Sequence, residues 1–584
     1  MAAILISLTI LLPWIGAVAV WRIKDQPETR KHRLAVLFSV GTAIISLFLL
    51  TVTGRESVIN IPFGNGLGRL SFSTDGLGIF LAVIANCVGS LAVVFSVEYM
   101  KGERDLGRYY GMILLFVGAM SGLVLTSYVF LIFFFWEITA LCSYQLISFY
   151  NDDPKAVRGG LKALFITQFG GVGLLAGALV IYSQTGSFDI NIFLTAAKAG
   201  KIAGPALSFI GFAMIIAAAA KSSQFPFFTW LPDAMEAPTP VSALIHAATM
   251  VNAGVYLLCR FSPAFESIPG WKELVLWIGI ITIILASLMA IYADDLKRVL
   301  AYSTVSQLGF LFAAIGAGSV SASQFHLLSH SIFKALLFLC AGSIIHSVGT
   351  RDMRLMGGLF KKTPVVGTAF IIGAAALAGI PIFNGFWSKE LILEMVHTHS
   401  SVLAYVLMVF AVILTAYYTL RCVWLVFFGE TRSDLHVHQP GLWMKVPLFI
   451  LSAGTLLSWL FFGKFSSLLA KTLPLHTIHT ATTWQMVLTI LKDPLTYLAL
   501  LMVAIGFLVW IFKKPASENA FMPRFFKKIS LDSFGFETIN SKIVHNLQTL
   551  GDQSLELQTG ILNWNIFGIL VGLVLVLVIL GIGG

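Results

Sequence analysis

The sequence predicts an all-α polytopic membrane protein with about 16 transmembrane helices, on three observations. Of the 584 residues, 57% are hydrophobic and only 11% are charged, whereas soluble domains carry roughly 25% charged residues. Apolar stretches long enough to cross a bilayer as helices recur from Leu5 to Leu580. No stretch has the alternating pattern of an outer-membrane β-barrel. These observations exclude a water-soluble enzyme, a disordered chain and a disulfide scaffold.

Two of the predicted spans are much longer than one crossing requires, and each contains a helix breaker. Pro226 interrupts the span at 204–236, and Pro381 interrupts the span at 363–397. Corresponding breaks in two halves of a chain indicate internal repeats and ion sites. Because the breaks lie five spans apart, we expect a duplicated five-helix unit. The predicted spans are 3–21, 33–52, 76–98, 110–126, 128–150, 161–183, 204–236, 240–261, 273–293, 298–319, 323–346, 363–397, 400–428, 446–462, 487–512 and 562–582.

Charge outside the spans predicts the orientation of the chain. Most Lys and Arg residues lie in loops that follow odd-numbered spans, so these loops are expected to face the cytoplasm and both termini the other side. The polar segment 513–560 begins with several basic residues. From about Leu531 it is expected to form an amphipathic helix at the membrane interface.

The sequence predicts no cofactor, metal or nucleic-acid site in this chain. There is no Walker A motif, and the glycines from Gly64 to Gly68 are one residue too closely spaced for a dinucleotide fingerprint. The net charge of +10 is not clustered on a soluble face. The five cysteines are scattered without a C-x-x-C pair, which argues against zinc, iron–sulfur or disulfide chemistry: Cys87, Cys142, Cys259, Cys340 and Cys422.

Two ionisable residues in the first half are functional candidates because charges near a bilayer centre are costly. Glu137 sits in an aromatic span, and Lys221 precedes the break at Pro226, which cannot donate to the Ser222 carbonyl. Burial disfavours the charged form of each residue, whereas the opposite charge of its neighbour favours that form. The Glu–Lys pair can therefore exchange protons. The alternatives are a static ion pair or protonated structural Glu137, and a Lys221 that snorkels to the interface.

Histidines form a second group of candidates. His326, His330 and Lys334 recur every four residues, which places them on one helix face. Since histidine titrates near neutral pH, such a series can pass protons through intervening water. Structural hydrogen bonding is one alternative, and zinc is another, although no third ligand is near in sequence. His246 is either a relay residue or a partner for a neighbouring helix.

The remaining charged candidates lie just after the second break and shortly after the first. Lys389 follows the second break, as Lys221 precedes the first, and Glu390 either neutralises it or competes for it during transfer. Asp233 and Glu236 are expected near a membrane face, as groups through which ions enter or as structural charges.

Four motifs give the sequence a family resemblance. The runs Ser222–Pro226, Trp230–Met250, Asp295–Thr304 and Phe333–Phe338 resemble the proton-antiporter module of respiratory complex I and Mrp antiporters. The likeness covers roughly residues 70–430 and is strongest to the distal, L-type chain of NADH:quinone oxidoreductase. It implies fourteen core helices in two inverted five-helix repeats.

The resemblance also implies functions for the regions of the chain. It divides the sequence into N-terminal helices (1–109), two repeats (110–261 and 262–428) and C-terminal helices (429–584). It implies that the buried candidates form one proton path, comprising Glu137, Lys221, His246, His326, His330, Lys334 and Lys389, with Asp233, Glu236 and Glu390 as candidate charge partners.

The expected function is proton translocation in a redox-driven NADH:quinone oxidoreductase of a bacterial or archaeal cell membrane. NADH, flavin, iron–sulfur clusters and quinone are then expected in partner subunits, which include antiporter-like homologues. Gln168 and Gly171 stand where complex I chains typically have Arg and Asp, which is more similar to the large Mrp subunit. The alternatives are therefore an Mrp-type Na⁺/H⁺ antiporter subunit, or a membrane subunit of a hydrogenase-linked or inorganic-carbon-uptake complex.

Overall fold

The computed structural model describes residues 1–23, 27–54, 57–62, 69–430, 432, 438–473, 475–512, 527–530, 532–542, 546 and 549. The chain separates into two compact units, Met1–Ala520 and Phe521–Gly584. The helices and the site described below belong to the first unit.

The first unit is built from helices joined by short connections. In chain order they are α1 (Ala2–Arg22), α2 (Glu28–Phe48), α3 (Gly76–Tyr99), α4 (Leu106–Leu125), α5 (Val129–Ile147), α6 (Pro154–Thr185), α7 (Ile190–Lys198), α8 (Gly204–Lys221), α9 (Trp230–Asp233), α10 (Thr239–Ala243), α11 (Met250–Phe265), α12 (Trp271–Tyr292), α13 (Leu296–Gly316), α14 (Val320–Val348), α15 (Leu359–Lys362), α16 (Pro364–Ala378), α17 (Asn384–His399), α18 (Val402–Phe427), α19 (Leu442–Leu457), α20 (Phe462–Thr472), α21 (Thr483–Lys492) and α22 (Pro494–Phe512).

These helices confirm the prediction of an all-α polytopic membrane protein. In the described part of the chain, 14 helices are long and apolar enough to cross a membrane, and each overlaps a predicted span. The predicted span 363–397 is the broken pair α16 and α17. The predicted span 562–582 and most of the predicted interfacial helix lie outside the described residues.

Two predicted span boundaries are wrong. The span at 487–512 is interrupted at Asp493, because Pro494 lacks an N–H and disfavours helical geometry in the residue before it. The span at 446–462 is longer than expected. It extends over Leu442–Thr472 and bends at a 3₁₀ turn at Ser458–Phe461.

A short antiparallel hairpin is an element that the hydropathy pattern did not predict. Its strands are β1 (Ser57–Pro62) and β2 (Arg69–Ser73), and Asn60 pairs with Ser71. The Ser71 carbonyl also accepts a hydrogen bond from Thr126 Oγ1 at 2.8 Å. The hairpin therefore joins the loops that follow the second and fourth spans.

The loops collect on two faces as the alternation of spans requires. Thr126 and Ser71 connect two even-numbered loops on one face, whereas Asp233 pairs with Lys162 and Arg298 from odd-numbered loops on the other. The structure confirms this alternation. Which face meets the cytoplasm stays a prediction from the Lys and Arg distribution.

Candidate functional site

The first break holds a lysine against a neighbouring helix. Lys221 is the last residue of α8 and is fully buried. Its Nζ donates a hydrogen bond to the Trp136 carbonyl of α5 at 2.9 Å and lies 4.8 Å from the centre of the Trp136 ring. The Ser222 carbonyl, which Pro226 cannot serve, accepts from Gln224 Nε2 at 2.9 Å. The polar groups freed by the break are thus partnered by side chains.

Glu137 lies beside this lysine but does not receive its hydrogen bond. The residue is half-buried on α5, and the Gln168 side chain hydrogen-bonds its carboxylate. A Cβ on Gly171 of α6 would collide with Glu137 Oε1, so the missing side chain makes room for the carboxylate. The Glu137 and Lys221 charges interact electrostatically, while the ammonium bonds the backbone of Trp136. The predicted couple is therefore a pair of neighbours rather than a closed salt bridge.

His246 occupies a widened turn in the following span. It lies in the π-helical segment Leu244–Ala248 and is fully buried. Neither ring nitrogen has a hydrogen-bond partner among the described residues. Its ring lies 6.4 Å from the ring of Trp230 and 5.8 Å from that of Phe338, centre to centre. Because Phe338 belongs to α14, His246 lies between the two halves of the chain.

The predicted series on α14 is present, and all three side chains are fully buried. His326 contacts two polar side chains: Nδ1 lies 2.9 Å from Ser388 Oγ and Nε2 lies 3.2 Å from Gln307 Oε1. Neither ring nitrogen of His330 has a partner among the described residues. His326 therefore connects α14 to α13 and α17.

Lys334 ends this series against α13. Its Nζ donates hydrogen bonds to Ser303 Oγ and to the Leu300 carbonyl. Its charge interacts electrostatically with His330 on its own helix and with His246 across the interface. Lys334 therefore interacts with ionisable groups in both halves of the chain.

At the second break, the lysine bonds a backbone carbonyl of the helix that ends at that break. Lys389 Nζ donates to the Leu377 carbonyl, in the last turn of α16, at 2.9 Å and lies 5.3 Å from the centre of the Phe310 ring. The neighbouring Glu390 is buried and hydrogen-bonds Thr496 of α22. Because Ser388 bonds His326, Lys389 follows directly on the α14 series.

Asp233 and Glu236 lie apart from this series, in an ion-pair cluster at the face formed by the odd-numbered loops. Asp233 pairs with Lys162 and Arg298, each at 2.7 Å, and Glu236 pairs with Arg351 at 2.8 Å. All of these side chains are partly exposed. Their arrangement is that of charges that hold loops together, and a role in ion uptake stays a prediction.

Lys297 is a buried charge that the sequence reasoning did not select. The predicted span begins at residue 298, which leaves Lys297 in a loop, but α13 begins at Leu296. Only 4% of Lys297 is exposed, and its Nζ donates to the Ala237 carbonyl at 2.6 Å. Its charge acts on His246. The motif Asp295–Thr304 was the available signal.

A buried ion pair between α3 and α11 was also missed. Arg260 Nη2 and Asp75 Oδ2 are 2.8 Å apart, and both side chains are buried. Burial raises the pKa of Asp75, but Arg260 and the Gly78 N–H stabilise the carboxylate more strongly, so its pKa lies below the usual value. The two residues are 185 positions apart, and each stood at the end of a predicted span, where charge is unremarkable.

Metal ligation is not the common feature of these residues. Among the described residues, no group of three or more His, Cys, Asp or Glu side chains is placed to hold a metal ion. The three lysines of the site share full or nearly full burial and hydrogen bonds to backbone carbonyls, whereas His246 and His330 are buried without a hydrogen-bond partner among the described residues.

Fold and site together define a class of protein: a polytopic membrane protein whose two broken spans carry buried lysines, with buried histidines in the segments between them. A family model described as NADH:quinone oxidoreductase/Mrp antiporter matches residues 126–415. Another, described as the N-terminus of complex I chain 5, matches residues 63–110. The chain belongs to this family of antiporter-like membrane subunits, and the resemblance predicted from its motifs is confirmed.

A relative from Staphylococcus aureus is also similar over most of the chain. The Na⁺/H⁺ antiporter subunit A1 is 35% identical over 492 residues, which cover 79% of this chain and 61% of the relative. The same subunit of Staphylococcus aureus strain Newman matches equally well. The chain therefore spans about three fifths of the length of these relatives.

Two solved structures share the fold. The Mrp complex of Dietzia sp. DQ12-45-1b has a chain that aligns over 100% of this chain and 63% of its own length, with a TM-score of 0.83 and 26% identity. A chain of the membrane-bound sulfane sulfur reductase, an archaeal respiratory complex, aligns over 80% of this chain and 96% of its own length. Its TM-score is 0.72 at 24% identity, which shows the fold alone.

Proposed function

We propose that this chain is a proton-translocating subunit of an Mrp-type Na⁺/H⁺ antiporter. The observation that carries the proposal is a series of ionisable residues within the helices of both halves, all buried except the half-buried Glu137: Glu137, Lys221, His246, Lys334, His330, His326 and Lys389. Because buried charges are costly in a membrane protein, those that are present are expected to mark a path for ions or protons. Protons moving along this series would be exchanged for Na⁺ by the complete complex.

Two observations support the antiporter over the redox-driven pump expected from the resemblance alone. The Staphylococcus aureus relative is named as an Na⁺/H⁺ antiporter subunit and matches 79% of this chain. Gly171 makes room for the Glu137 carboxylate, at a position where complex I chains typically carry an acid. The expectation of NADH, flavin, iron–sulfur and quinone in partner subunits belongs to the redox alternative.

The proposal includes partners and a location. The similar solved structures are multi-subunit membrane complexes, so we propose that this chain works with other membrane subunits, including antiporter-like homologues. The chain is an integral membrane protein, and we propose that it lies in a bacterial or archaeal cell membrane with its odd-numbered loops in the cytoplasm.

The test is Na⁺-dependent proton movement without an electron donor. Membrane vesicles that contain the complete complex receive a pH gradient by ammonium diffusion, and the collapse of that gradient is followed with a pH-sensitive dye after NaCl is added. We expect the gradient to collapse with NaCl and to persist with choline chloride. Vesicles from a strain that lacks the complex provide the baseline.

Three outcomes separate the candidate functions. Collapse driven by Na⁺ alone supports the antiporter. A gradient that responds only when NADH or a reduced donor is supplied would contradict the proposal and favour a redox-driven pump. If replacing Lys221 and Lys389 by alanine leaves every activity of the assembled complex intact, the chain is a membrane anchor.

A further inference from the structure

The start of α11 is shaped by a widened helical turn that frees backbone carbonyls. In the π-helical segment Leu244–Ala248 the ordinary hydrogen-bond spacing is lost. Thr249 Oγ1 then donates to the Leu244 carbonyl at 2.7 Å, and Asn252 Nδ2 donates to the Ala247 carbonyl at 3.0 Å. Asn252 therefore stabilises the turn that carries His246.

The same asparagine reaches into the second half of the chain. Asn252 Nδ2 also donates to Ser331 Oγ of α14 at 3.2 Å, and Ser331 is adjacent to His330. On the other side, the carbonyl of Val251 accepts a hydrogen bond from Ser222 Oγ at 2.7 Å, immediately after the buried lysine of the first break. Residues 251 and 252 thus contact both the first break and the α14 series.

Several polar atoms around Asn252 have no hydrogen-bond partner in the part of the chain that the structure describes. Asn252 Oδ1 and both ring nitrogens of His246 and of His330 have no hydrogen-bond partner among the described residues, although all three residues are at most 1% exposed. Leaving a buried polar atom without a hydrogen bond is energetically costly. Proteins commonly satisfy such groups with internal water, which binds where several polar partners converge.

We propose that Asn252 is a positioning residue for proton transfer, anchoring a hydrogen-bonded water link between His246 in the first half and His330 in the second. An amide suits this position because it donates through Nδ2 and accepts through Oδ1 at once. Asn252 itself takes up no proton. The inference rests on the proposed function, since it names the connection through which that proton path passes between the halves.

The test replaces Asn252 by two residues that have the same shape as each other. Asn252→Thr supplies a hydroxyl that donates and accepts in place of the amide, whereas Asn252→Val removes all side-chain hydrogen bonding. We expect Val to lower the maximal Na⁺-driven proton flux by about tenfold without changing the Na⁺ concentration for half-maximal rate. Thr is expected to retain most of the flux. Both are measured in vesicles with the complete complex, with assembly checked by co-purification.

A matched control is available on α3. Asn86 is equally buried and donates through Nδ2 to the Ala82 carbonyl and to Ser121 Oγ, and its Oδ1 has no partner in the described part of the chain. These hydrogen bonds lie within the α3–α4 pair. Asn86→Val should therefore cost comparable stability and leave the proton flux close to wild type.

The outcomes distinguish this inference from the proposed function. Full flux in Asn252→Val, an equal loss in Asn252→Thr, or an equal loss in Asn86→Val would overturn the role of Asn252. If Lys221→Ala also keeps full flux, the proposed function fails as well. If neither Asn252 variant assembles, Ser331→Ala replaces them: a reduced maximal rate supports the link, and an unchanged rate contradicts it.

Discussion

At both breaks the lysine donates a hydrogen bond to a backbone carbonyl, but the two carbonyls belong to differently placed helices. Lys389 donates to the Leu377 carbonyl in the last turn before its own break, where helical carbonyls have no intrahelical partner. Lys221 donates instead to Trp136, a carbonyl of the neighbouring α5. The second lysine is therefore positioned by the helix that ends at its own break, and the first by a hydrogen bond to a different helix, α5.

The carboxylates beside the two lysines also differ in whether they lie on the same helix as their lysine. Glu390 follows Lys389 on one helix and hydrogen-bonds Thr496. Glu137 lies on a separate helix, in space that Gly171 leaves free. The comparison teaches that changes on α5 or α6 should disturb the first lysine and its carboxylate while leaving the second pair intact.

The largest effect is expected from removing either lysine. Lys221→Met and Lys389→Met should each reduce Na⁺-driven proton flux by about 100-fold or more, because each removes a proton-carrying group from a single series. The measurement is the vesicle assay with the assembled complex. Lys201→Met, at an exposed position, is the control and should keep the wild-type rate. A variant of either buried lysine that pumps normally would show that the halves do not act in series.

A smaller effect is expected from crowding the first half alone. Gly171→Ala places a Cβ against Glu137 Oε1 and displaces the carboxylate, so flux should fall by about tenfold. Gly177→Ala on the same helix meets its nearest neighbours at 3.9 Å or more and serves as the control. Equal activity of the two alanine variants would mean that the position of the Glu137 carboxylate does not matter.

The smallest effect on transport is expected at the ion pair outside the series. Arg260→Met leaves Asp75 buried without its partner, which should lower the free energy of unfolding by about 3–5 kcal/mol. Thermal unfolding of the purified protein in detergent measures this loss. The double variant Asp75→Leu/Arg260→Met should recover much of the stability, and the flux of the folded fraction should stay normal. A double variant as unstable as the single one would refute this account.

The same pair predicts a dependence of stability on pH. Because the pKa of Asp75 is lowered in the folded protein, its contribution is complete above the unfolded value of about 3.9 and is lost as the pH falls below it. Asp75→Asn should lack this acid-dependent loss. Unfolding temperatures measured between neutral and acidic pH would show the difference, and parallel curves for both proteins would contradict the assignment.

Site residues that repeat along one helix could be predicted from the sequence. Pairs that form where two helices meet could not. The spacing of His326, His330 and Lys334 is a property of one helix, and the structure places all three on α14. By contrast, Asp75 and Arg260 come from distant parts of the chain. Lys297 was misassigned because helix boundaries are poorly marked in sequence.

The class of fold, the spans, the two breaks and the charges within them could all be predicted from the order of the residues, because hydropathy and proline act locally along the chain. The partner of each charge, in contrast, follows from how the helices pack. Lys221 bonds Trp136 rather than Glu137, and Asn252 connects the two halves. The physical reason is that hydrogen bonds between helices depend on packing within a few ångströms, which no periodicity in the sequence encodes.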